Sequence, residues 1–373
     1  MGVRERPVED LEGLTMTFED LAPYRGARVL VTGHPGFKGS WLCETLLLAG
    51  AEVHGYALRP PTRPALFTQL GLARRIASHT LGDVRDATSL AAAVKKAAPD
   101  FIFHLAAQPL VRESYRRPVE TFDTNVMGTV NLLEALRLSG RGPDAPCAVV
   151  CVTTDKCYEN DDSGRAFKET DPMGGSDPYS ASKGACEIAI SSYRRSFFAS
   201  PGSGVRLASA RAGNVIGGGD WAVDRILPDA MRAFLSGKAL IVRNRRSTRP
   251  WQHVLEPLSG YLALGAALRR DAGFAEAFNF GPDAATVRTV GDLVRALRRR
   301  FPDSKVVDRT DPAAPREAVL LTLDSGKAAR RLGWRPRWSF AKTVAATVDW
   351  YATVADGRSA RLATDEQIRD FFR

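Results

Sequence analysis

The chain has 373 residues, of which 44% are hydrophobic and 25% charged, and it carries a formal net charge of +10. This composition is typical of a globular protein with one large domain or two, and it excludes a disordered or fibrous chain. The longest apolar runs, such as residues 147–152, are far shorter than the ~20 residues of a membrane-spanning helix, so no membrane partner is predicted.

Residues 1–24 mix both charge signs and lack the apolar core of a secretory signal, so we expect a peripheral N-terminal extension on a cytoplasmic protein. The cysteines form no CxxC pair, and no cluster of His, Cys and Asp has the spacing of metal ligands, so no metal is predicted. The basic residues are scattered and mostly Arg, which argues against a nucleic-acid partner.

Short apolar runs alternate with helical patterns over the first half of the chain. We predict strands at 27–32, 52–57, 78–81, 101–105, 147–153 and 205–211, and helices at 38–49, 87–97, 119–138 and 179–198. This order predicts an α/β fold with a Rossmann-like doubly wound parallel sheet. We expect residues 25–211 to form this dinucleotide-binding domain. Residues 212–373, rich in Gly and Pro, would form mainly a smaller, loop-rich substrate-binding lobe, from which 258–282 return to the first domain.

The first predicted strand runs into Gly33, Gly36 and Gly39, which stand three apart before a predicted helix. Glycine at these positions allows a tight turn and a close approach of the backbone to a pyrophosphate, which the helix N-terminus attracts. With Phe37 and Lys38, these residues are the predicted phosphate-binding loop of NAD or NADP. An ordinary strand-to-helix turn is the alternative.

The ends of the next strands bear on which dinucleotide would bind. Arg59 follows the second strand, where NAD-specific sites often carry an acid for the ribose 2′-hydroxyl, so NADP stays an alternative to NAD. Asp83 and Val84 follow the third strand; Asp83 would accept the adenine amino group, although a helix cap explains this residue equally well. The fourth strand ends in residues whose small members leave room for a dinucleotide: Leu105, Ala106, Ala107 and Gln108.

A group of hydroxyl, acidic and basic residues follows the fifth predicted strand. It begins with Thr154, Asp155 and Lys156, and Tyr179 and Lys183 come later, four residues apart and therefore on one face of a helix. An ammonium beside a tyrosine lowers the phenol pKa from about 10 toward the range of a base, and Thr154 can hydrogen-bond the same substrate hydroxyl. Taken alone, the spacing of Tyr179 and Lys183 also fits an exposed helical surface.

Several stretches between residues 24 and 282 carry a resemblance to a known family. They are TGHPGFKGSW, HLAAQPLVRESY, TNVMGT, TTDKCYEN, GGSDPYSASK, RAGNVIGGGDW and RPWQHVLEPLSGYL. With these motifs in this order, the chain resembles the extended short-chain dehydrogenase/reductase family and, within it, the sugar-nucleotide 4,6-dehydratases. The resemblance implies CDP-D-glucose as the substrate, NAD as the cofactor, and a place in deoxysugar formation for lipopolysaccharide or a related glycoconjugate.

The resemblance also implies a mechanism, in which the nicotinamide takes a hydride from C4 and returns it to C6 after water has left from C5 and C6. Tyr179 would be the base for the C4 hydroxyl, with Lys183 as its activator and ribose anchor and Thr154 as the positioner of that hydroxyl. Asp155 would protonate the departing C6 hydroxyl. Related dehydratases have a glutamate in place of Lys156 as the C5 base, so Lys156 would act as a neutral amine or only form a salt bridge to Asp155.

Further cofactor and substrate contacts follow from the same resemblance. Thr124, Val152 and Thr153 join Tyr179 and Lys183 in the cofactor site. The substrate would contact Gln108, Thr154, Asn214, Arg225, Leu227, Arg243, Arg249, Trp251 and His253. Arginine binds a diphosphate bidentately, and a solvated surface arginine is the alternative for each of the three.

Two other functions are weighed against this one. An NDP-sugar 4-epimerase would need Tyr179 and Lys183 but not Asp155 and Lys156. A non-catalytic RNA- or protein-binding relative is suggested by the net charge, and the set Thr154, Tyr179 and Lys183 argues against it. The resemblance further implies a homodimer or tetramer formed through a four-helix bundle of the predicted helices 119–138 and 179–198.

Overall fold

Seven parallel strands form the central sheet of the protein, whose computed structural model describes residues 16–160, 163–283, 287–309 and 321–373. The strands are β1 Arg28–Thr32, β2 Glu52–Ala57, β3 Ser78–Leu81, β4 Phe101–His104, β5 Cys147–Val152, β6 Ala166–Phe167, β7 Val205–Ala212, β8 Val215–Ile216, β9 Leu240–Val242, β10 Thr248–Pro250, β11 Gln252–His253, β12 Ala277–Phe280, β13 Val287–Thr289, β14 Val306–Asp308 and β15 Thr322–Leu323. The helices are α1 Phe37–Leu48, α2 Leu66–Gln69, α3 Ala87–Ala97, α4 Val111–Arg116, α5 Pro118–Phe122, α6 Gly128–Leu138, α7 Pro178–Tyr193, α8 Ile226–Leu235, α9 Leu255–Arg270, α10 Val290–Arg298, α11 Gly326–Leu332, α12 Phe340–Ala355 and α13 Ala360–Phe371. The central order is β12-β7-β5-β4-β1-β2-β3, with every neighbouring pair parallel. The predicted Rossmann-like doubly wound sheet is therefore confirmed.

Helices cover both faces of this sheet because its strands are apolar on both sides. All six residues of β5 are buried. In β1, Val29 and Val31 pack with α1 and α9 on one face, whereas Leu30 packs with α3, α6 and α7 on the other. Successive strand residues point to opposite faces, so this alternation produces two apolar cores, one on each side of the sheet.

The strand order reverses beside β1. The chain runs from β1 outward to β2 and β3, and β4 then returns to the other side of β1. Ligands of doubly wound sheets bind at such a switch point, in the crevice at the carboxyl ends of the strands. The loops that follow β1 to β5 therefore surround one crevice.

The two long predicted helices, 119–138 and 179–198, each contain a π-helical turn. The predicted helix 119–138 is divided into α5 and α6 by the turn Asp123–Met127, and α7 is followed by the turn Arg194–Phe198. In the first turn, the buried side chain of Asn125 accepts a hydrogen bond from the Gln108 N–H at 2.8 Å and donates one to Ser182 Oγ at 2.8 Å. The wider turn thus ties the loop after β4 to α7.

Residues 16–24, the described part of the predicted peripheral extension over residues 1–24, place two side chains in the core; residues 1–15 lie outside the described residues. Leu21 and Tyr24, three apart on one side of a short 3₁₀ turn, are buried. The Tyr24 hydroxyl donates to the Leu262 carbonyl of α9 at 2.7 Å. Burial of these two apolar side chains fixes the segment against α9.

The segments after β7 supply most of four small two-stranded sheets, in which β8 pairs with β11, β9 with β14, β10 with β13 and β6 with β15. β12 lies beside β7 at the edge of the central sheet, and α9 packs on β5 and β7. The division into domains at residues 25–211 and 212–373 stays a prediction. Within the described residues, no helix combines the length and the apolar character needed to cross a membrane.

Candidate active site

The loop after β1 leaves the first amides of α1 without partners. Gly33 has a φ of +73°, and a Cβ there would lie 2.7 Å from a backbone nitrogen of the loop after β4, so only glycine fits. α1 begins after Gly36 with no side-chain cap, and the Ser40 N–H donates to the Gly36 carbonyl at 2.9 Å. The N–H groups of Phe37 and Lys38 have no acceptor in the described parts of the chain. At the positive end of a helix, these groups fit the diphosphate of a dinucleotide.

The other predicted cofactor residues lie at the carboxyl ends of neighbouring strands. Asp83 Oδ2 accepts a hydrogen bond from Arg85 Nη2 at 2.6 Å. Asp86, and not Asp83, caps α3 by accepting from the Ser89 N–H at 3.0 Å, so the helix-cap alternative for Asp83 is wrong. The structure buries Val84, Val152 and Thr153, leaves Leu105, Ala106, Ala107, Gln108 and Thr124 partly buried, and exposes Arg59.

The side chain of Gln108, predicted to contact both cofactor and substrate, is occupied within the loop after β4. Its amide nitrogen donates to Thr121 Oγ1 at 2.9 Å and to the Leu110 carbonyl at 3.1 Å, and its oxygen accepts from the Leu110 N–H at 2.6 Å. Gln108 therefore fixes the shape of this loop, and its direct contact with a ligand stays a prediction.

The turn after β5 brings Thr154 and Asp155 next to Tyr179 of α7. Thr154 Oγ1 donates to Asp155 Oδ1 at 2.9 Å, and Lys183 Nζ donates to the Val152 carbonyl at 3.4 Å. Four of the five predicted catalytic side chains, Thr154, Asp155, Tyr179 and Lys183, are buried, and Lys156 is partly buried. The sequence spacing therefore identified residues that the fold brings to one place, and the alternative of an exposed helical surface for Tyr179 and Lys183 is wrong.

Burial raises the pKa of Tyr179, and a hydrogen bond with the Thr154 hydroxyl offsets part of this rise. We expected Lys183 to lower the pKa of Tyr179 below its usual value of about 10, but in the protein alone this pKa is raised. The reason is that the phenolate loses more hydration on burial than its neighbours return.

Burial also raises the pKa of Asp155, against the opposing effects of Lys156, Thr154 and Lys38. A Cβ at Gly213 would lie 2.8 Å from Asp155 Oδ2, so the glycine lets the carboxyl sit against the backbone after β7. A carboxyl that keeps its proton to a higher pH is suited to general-acid chemistry. Lys156, which is partly buried, forms no ion pair with Asp155 within the described residues, so the predicted salt bridge is not formed.

Lys38 and Tyr261 join this site, and no spacing in the sequence indicated their contact. Lys38 Nζ donates to the Tyr261 hydroxyl at 3.5 Å across 223 positions of the chain. Burial, followed by the charge of Arg225, lowers the pKa of Lys38 to about 8, although Asp155 raises it. The Lys38 side chain therefore belongs to the same electrostatic environment as Asp155, while its N–H remains in the phosphate-binding loop.

Two of the predicted substrate contacts, Arg225 and Arg249, act electrostatically on Tyr179 and Asp155. Arg225 forms an ion pair with Asp220 at 2.9 Å, and its charge lowers the pKa of Tyr179. Arg249 is partly buried, and its charge lowers the pKa of Asp155. Asn214 is exposed in the loop after β7. Their contacts with a substrate stay predictions.

Leu227, Trp251 and His253 were also predicted to contact the substrate; all three side chains are buried, and their contact with a substrate stays a prediction. His253 lies between the rings of Trp41 and Trp338, at centroid distances of 5.6 and 4.7 Å, and burial lowers its pKa to about 3. Trp251 Nε1 donates to a backbone carbonyl of β13 at 3.1 Å. Polar and aromatic residue types in a loop-rich segment favoured a binding surface, whereas in the structure these side chains are buried.

Arg243 is committed to an acidic partner beside the site. Arg243 Nη2 donates to Asp224 Oδ1 at 2.6 Å, and Arg112 Nη1 lies 3.8 Å from the same oxygen. Asp224 has a positive φ of 62° and immediately precedes Arg225. The predicted contact of Arg243 with a diphosphate would therefore require exchange of this ion pair.

Comparisons with known proteins extend what the geometry indicates. The model of the GDP-mannose 4,6-dehydratase family matches residues 30–347. A CDP-glucose 4,6-dehydratase of Salmonella typhimurium is 46% identical over 353 residues, which cover 93% of this chain and 97% of that protein. A dTDP-glucose 4,6-dehydratase of Streptomyces antibioticus is 32% identical over 340 residues, covering 87% of this chain and 92% of that protein. The structure of DesIV, a dTDP-glucose 4,6-dehydratase of Streptomyces venezuelae with NAD and TYD bound, superposes with a TM-score of 0.73 at 28% identity, covering 89% of this chain and 98% of that one.

Proposed function

Since this chain belongs to the GDP-mannose 4,6-dehydratase family, we propose that it converts CDP-D-glucose to CDP-4-keto-6-deoxy-D-glucose and water. The choice of CDP-glucose follows from the near-full-length identity of 46% to a CDP-glucose 4,6-dehydratase. The observation in the site that carries the proposal is Asp155, a buried acid hydrogen-bonded to Thr154 beside Tyr179. A 4-epimerase, the alternative, needs no such acid and is not favoured.

The proposed cofactor is NAD, as bound in the similar DesIV structure. The unpartnered N–H groups of Phe37 and Lys38 would hold its diphosphate, and Lys183 would hold the ribose next to the nicotinamide. When bound, the nicotinamide accepts the C4 hydride and returns it to C6, so the reaction has no net redox change. Arg59, which is exposed after β2, would accommodate a 2′-phosphate, so NADP is the alternative cofactor.

The chain's own residues would handle the protons. Tyr179 accepts the proton of the C4 hydroxyl, which Thr154 positions by a hydrogen bond. The resulting 4-ketone makes the C5 proton acidic, and Lys156 is the proposed group that removes it. Asp155 donates its proton to the C6 hydroxyl, which leaves as water. Arg225, Arg249 and Asn214 would bind the diphosphate of the substrate.

We also propose a homodimer or tetramer that assembles through a four-helix bundle in the cytoplasm, where the product would enter deoxysugar formation. Large apolar side chains are exposed along the α5–α6 segment and on α7, which pack against each other. Val119 is 81% exposed and Ile188 63% exposed, and contiguous exposed apolar side chains mark interaction surfaces. A second copy of the same two helices would cover them.

Incubation of the purified protein with CDP-glucose and NAD tests the proposed reaction. We expect a product that develops the alkali-induced absorbance of a 4-keto sugar and has lost the mass of one water. GDP-mannose and dTDP-glucose in parallel reactions serve as controls for the nucleotide. Retention of the 4-hydroxyl, or a preference for either control substrate, would contradict the proposal.

A further inference from the structure

A buried ion pair underlies the turn after β5, residues 153–158, which we name the catalytic turn. Arg211 Nη2 of β7 donates to Glu187 Oε2 of α7 at 2.7 Å, and both side chains are almost fully buried. Burial alone would raise the pKa of Glu187, but the charge of Arg211 and hydrogen bonds from Arg211, Thr153 and Ser209 hold it below its usual range. Glu187 is therefore an ionised carboxylate whose two oxygens both accept hydrogen bonds from this network.

This ion pair holds the catalytic turn at its first residue. Thr153 Oγ1 donates to Glu187 Oε1 at 2.5 Å. The other oxygen of the same carboxylate accepts from Ser209 Oγ at 2.8 Å, in addition to Arg211. Since Glu187 lies in α7, its bond with Thr153 fixes the start of the turn to that helix, whereas Ser209 contacts only the carboxylate.

The same ion pair also holds the turn at its last residue. Arg211 Nη1 donates to the Tyr158 hydroxyl at 2.6 Å, and that hydroxyl donates to Asn279 Oδ1 of β12 at 2.7 Å. The Tyr158 ring stacks on Phe167, with centroids 5.2 Å apart. Thr154, Asp155 and Lys156 lie between these two anchors, Thr153 and Tyr158.

Stability alone does not account for the ion pair, because replacing a buried pair with apolar side chains is often neutral or stabilising. Its placement indicates a different role. Tyr179 and Lys183 stand on α7 together with Glu187, so helix geometry fixes them relative to one another. Asp155 and Lys156 reach the site through the turn, and the ion pair adds a connection to α7 at each end of the turn, beside the hydrogen bond between Thr154 and Tyr179.

We propose that Glu187 and Arg211 are positioning residues that hold Asp155 against the C6 hydroxyl of the substrate. The inference rests on the proposed dehydratase reaction and deepens it. Loosening either anchor slows the loss of water from C5 and C6 more than it slows proton removal from the C4 hydroxyl by Tyr179. The hydride has then left C4 without returning to C6, so reduced cofactor accumulates.

Two variants each release one end of the turn and leave the ion pair in place. Tyr158→Phe removes the hydroxyl that contacts Arg211, and Thr153→Val removes the hydroxyl that contacts Glu187. Ser209→Ala is the matched control, because it deletes a hydrogen bond to the same carboxylate from β7 and not from the turn. The readouts are the rate of 4-ketone formation from CDP-glucose with NAD and the steady-state absorbance of reduced nicotinamide.

We expect each anchor variant to lower kcat by roughly 10- to 100-fold with little change in KM, and to raise the steady-state fraction of reduced cofactor. Ser209→Ala should keep the wild-type fraction. Circular dichroism establishes that each variant is folded, and either anchor variant alone decides the question if the other fails to fold.

The positioning role is overturned if the anchor variants turn over more slowly but contain no larger fraction of reduced cofactor than the wild type. It is also overturned if Ser209→Ala accumulates as much reduced cofactor as the anchor variants do. Anchor variants that behave as wild type overturn it as well, while leaving the proposed function intact. A wild-type protein that forms no 4-ketone from CDP-glucose overturns the proposed function and this inference with it.

Discussion

Asp155 and Tyr179 are both buried, and in both cases burial raises the pKa. For Asp155 this favours the protonated carboxyl that an elimination needs. For Tyr179 it opposes formation of the phenolate, so the base depends on neighbours such as Thr154 and Arg225, which lower its pKa. The same physical effect therefore assists one residue and has to be offset at the other.

Asp155→Asn should separate the two halves of the reaction. The amide keeps the shape but cannot donate the proton, so 4-ketone formation should fall by roughly 10²- to 10⁴-fold while reduced cofactor still forms. In the wild type, kcat should decline as pH rises through the elevated pKa of Asp155, and the variant should lack this decline. Asp171→Asn, at a carboxyl paired with Arg165 away from the site, is the control. Equal loss of C4 oxidation in Asp155→Asn would speak against the acid role.

Lys156→Ala tests the proposed C5 base. Removal of the amine should slow the incorporation of solvent deuterium at C5 by at least about tenfold, because the proposed base is lost. The measurement is mass spectrometry of product formed in deuterated water. Lys168→Ala, at an exposed lysine, should exchange at the wild-type rate. If Lys156→Ala incorporates deuterium at C5 at the wild-type rate, Lys156 is excluded as the base.

The sequence motifs identified Thr154, Asp155, Tyr179 and Lys183, because the order and spacing of these residues along the chain reflect how the fold brings them together. They missed the contact of Lys38 with Tyr261, because residues 223 positions apart meet only through the strand order. They also gave no sign that the ring of His253 lies between two tryptophans, because a residue type does not encode its packing partners.

Among the elements, the loop between β1 and α1 makes the most exacting demand on residue type. Gly33→Ala should weaken NAD binding by roughly 10-fold or more, because the added Cβ would lie 2.7 Å from a backbone nitrogen and displace the loop. Gly71→Ala is matched to it, since Gly71 also has a positive φ of 63° but no atom within 4 Å of the added carbon. Titration calorimetry with NAD compares them. Equal affinities would mean that the loop tolerates the displacement.

Elements with strong local signals were predicted well and those shaped by distant contacts were not. The strand at 52–57 has the predicted bounds, and so does the more polar strand at 78–81. The predicted helix 119–138 is interrupted at Asp123–Met127, where Asn125 bonds to the loop after β4 and to α7. That interruption depends on partners far along the chain, which helical periodicity does not encode.

For the molecule as a whole, buried neutral histidines predict sensitivity to acid. Burial lowers the pKa of His34, His104 and His253 from 6.5 to about 3. Below pH 6.5 the histidines of the unfolded chain bind protons, whereas the buried histidines of the folded chain stay neutral down to about pH 3. Their contribution to the free energy of unfolding should therefore be constant above pH 6.5 and should fall as the pH drops toward about 3. Each histidine contributes a slope of ~1.4 kcal/mol per pH unit.

Urea unfolding at several pH values between about 7 and 5 measures this slope. His253→Phe should reduce it by ~1.4 kcal/mol per pH unit, because one titrating group is removed while a ring still packs against the two tryptophans. An unchanged slope would show that His253 titrates alike in both states.

The proposed assembly gives a prediction for the oligomeric state of the protein. Val119→Glu and Ile188→Glu place a charge in the centre of the expected helix bundle, where an unpaired buried charge costs several kcal/mol, so light scattering should report monomers. Leu362→Glu is the control, since Leu362 is 56% exposed but lies on α13, away from the bundle. Wild-type mass for the first two variants would argue for a different interface.

α7 holds Tyr179, Lys183 and Glu187 on its buried face and Ile188 on its exposed one. In an assembly through this helix, the floor of the site is also the subunit contact, which makes turnover a matter of mass action. Specific activity should then fall when the enzyme is diluted below its dissociation constant, so that rate plotted against enzyme concentration is a curve. A compound that separates the subunits would inhibit the enzyme without competing with the nucleotide sugar.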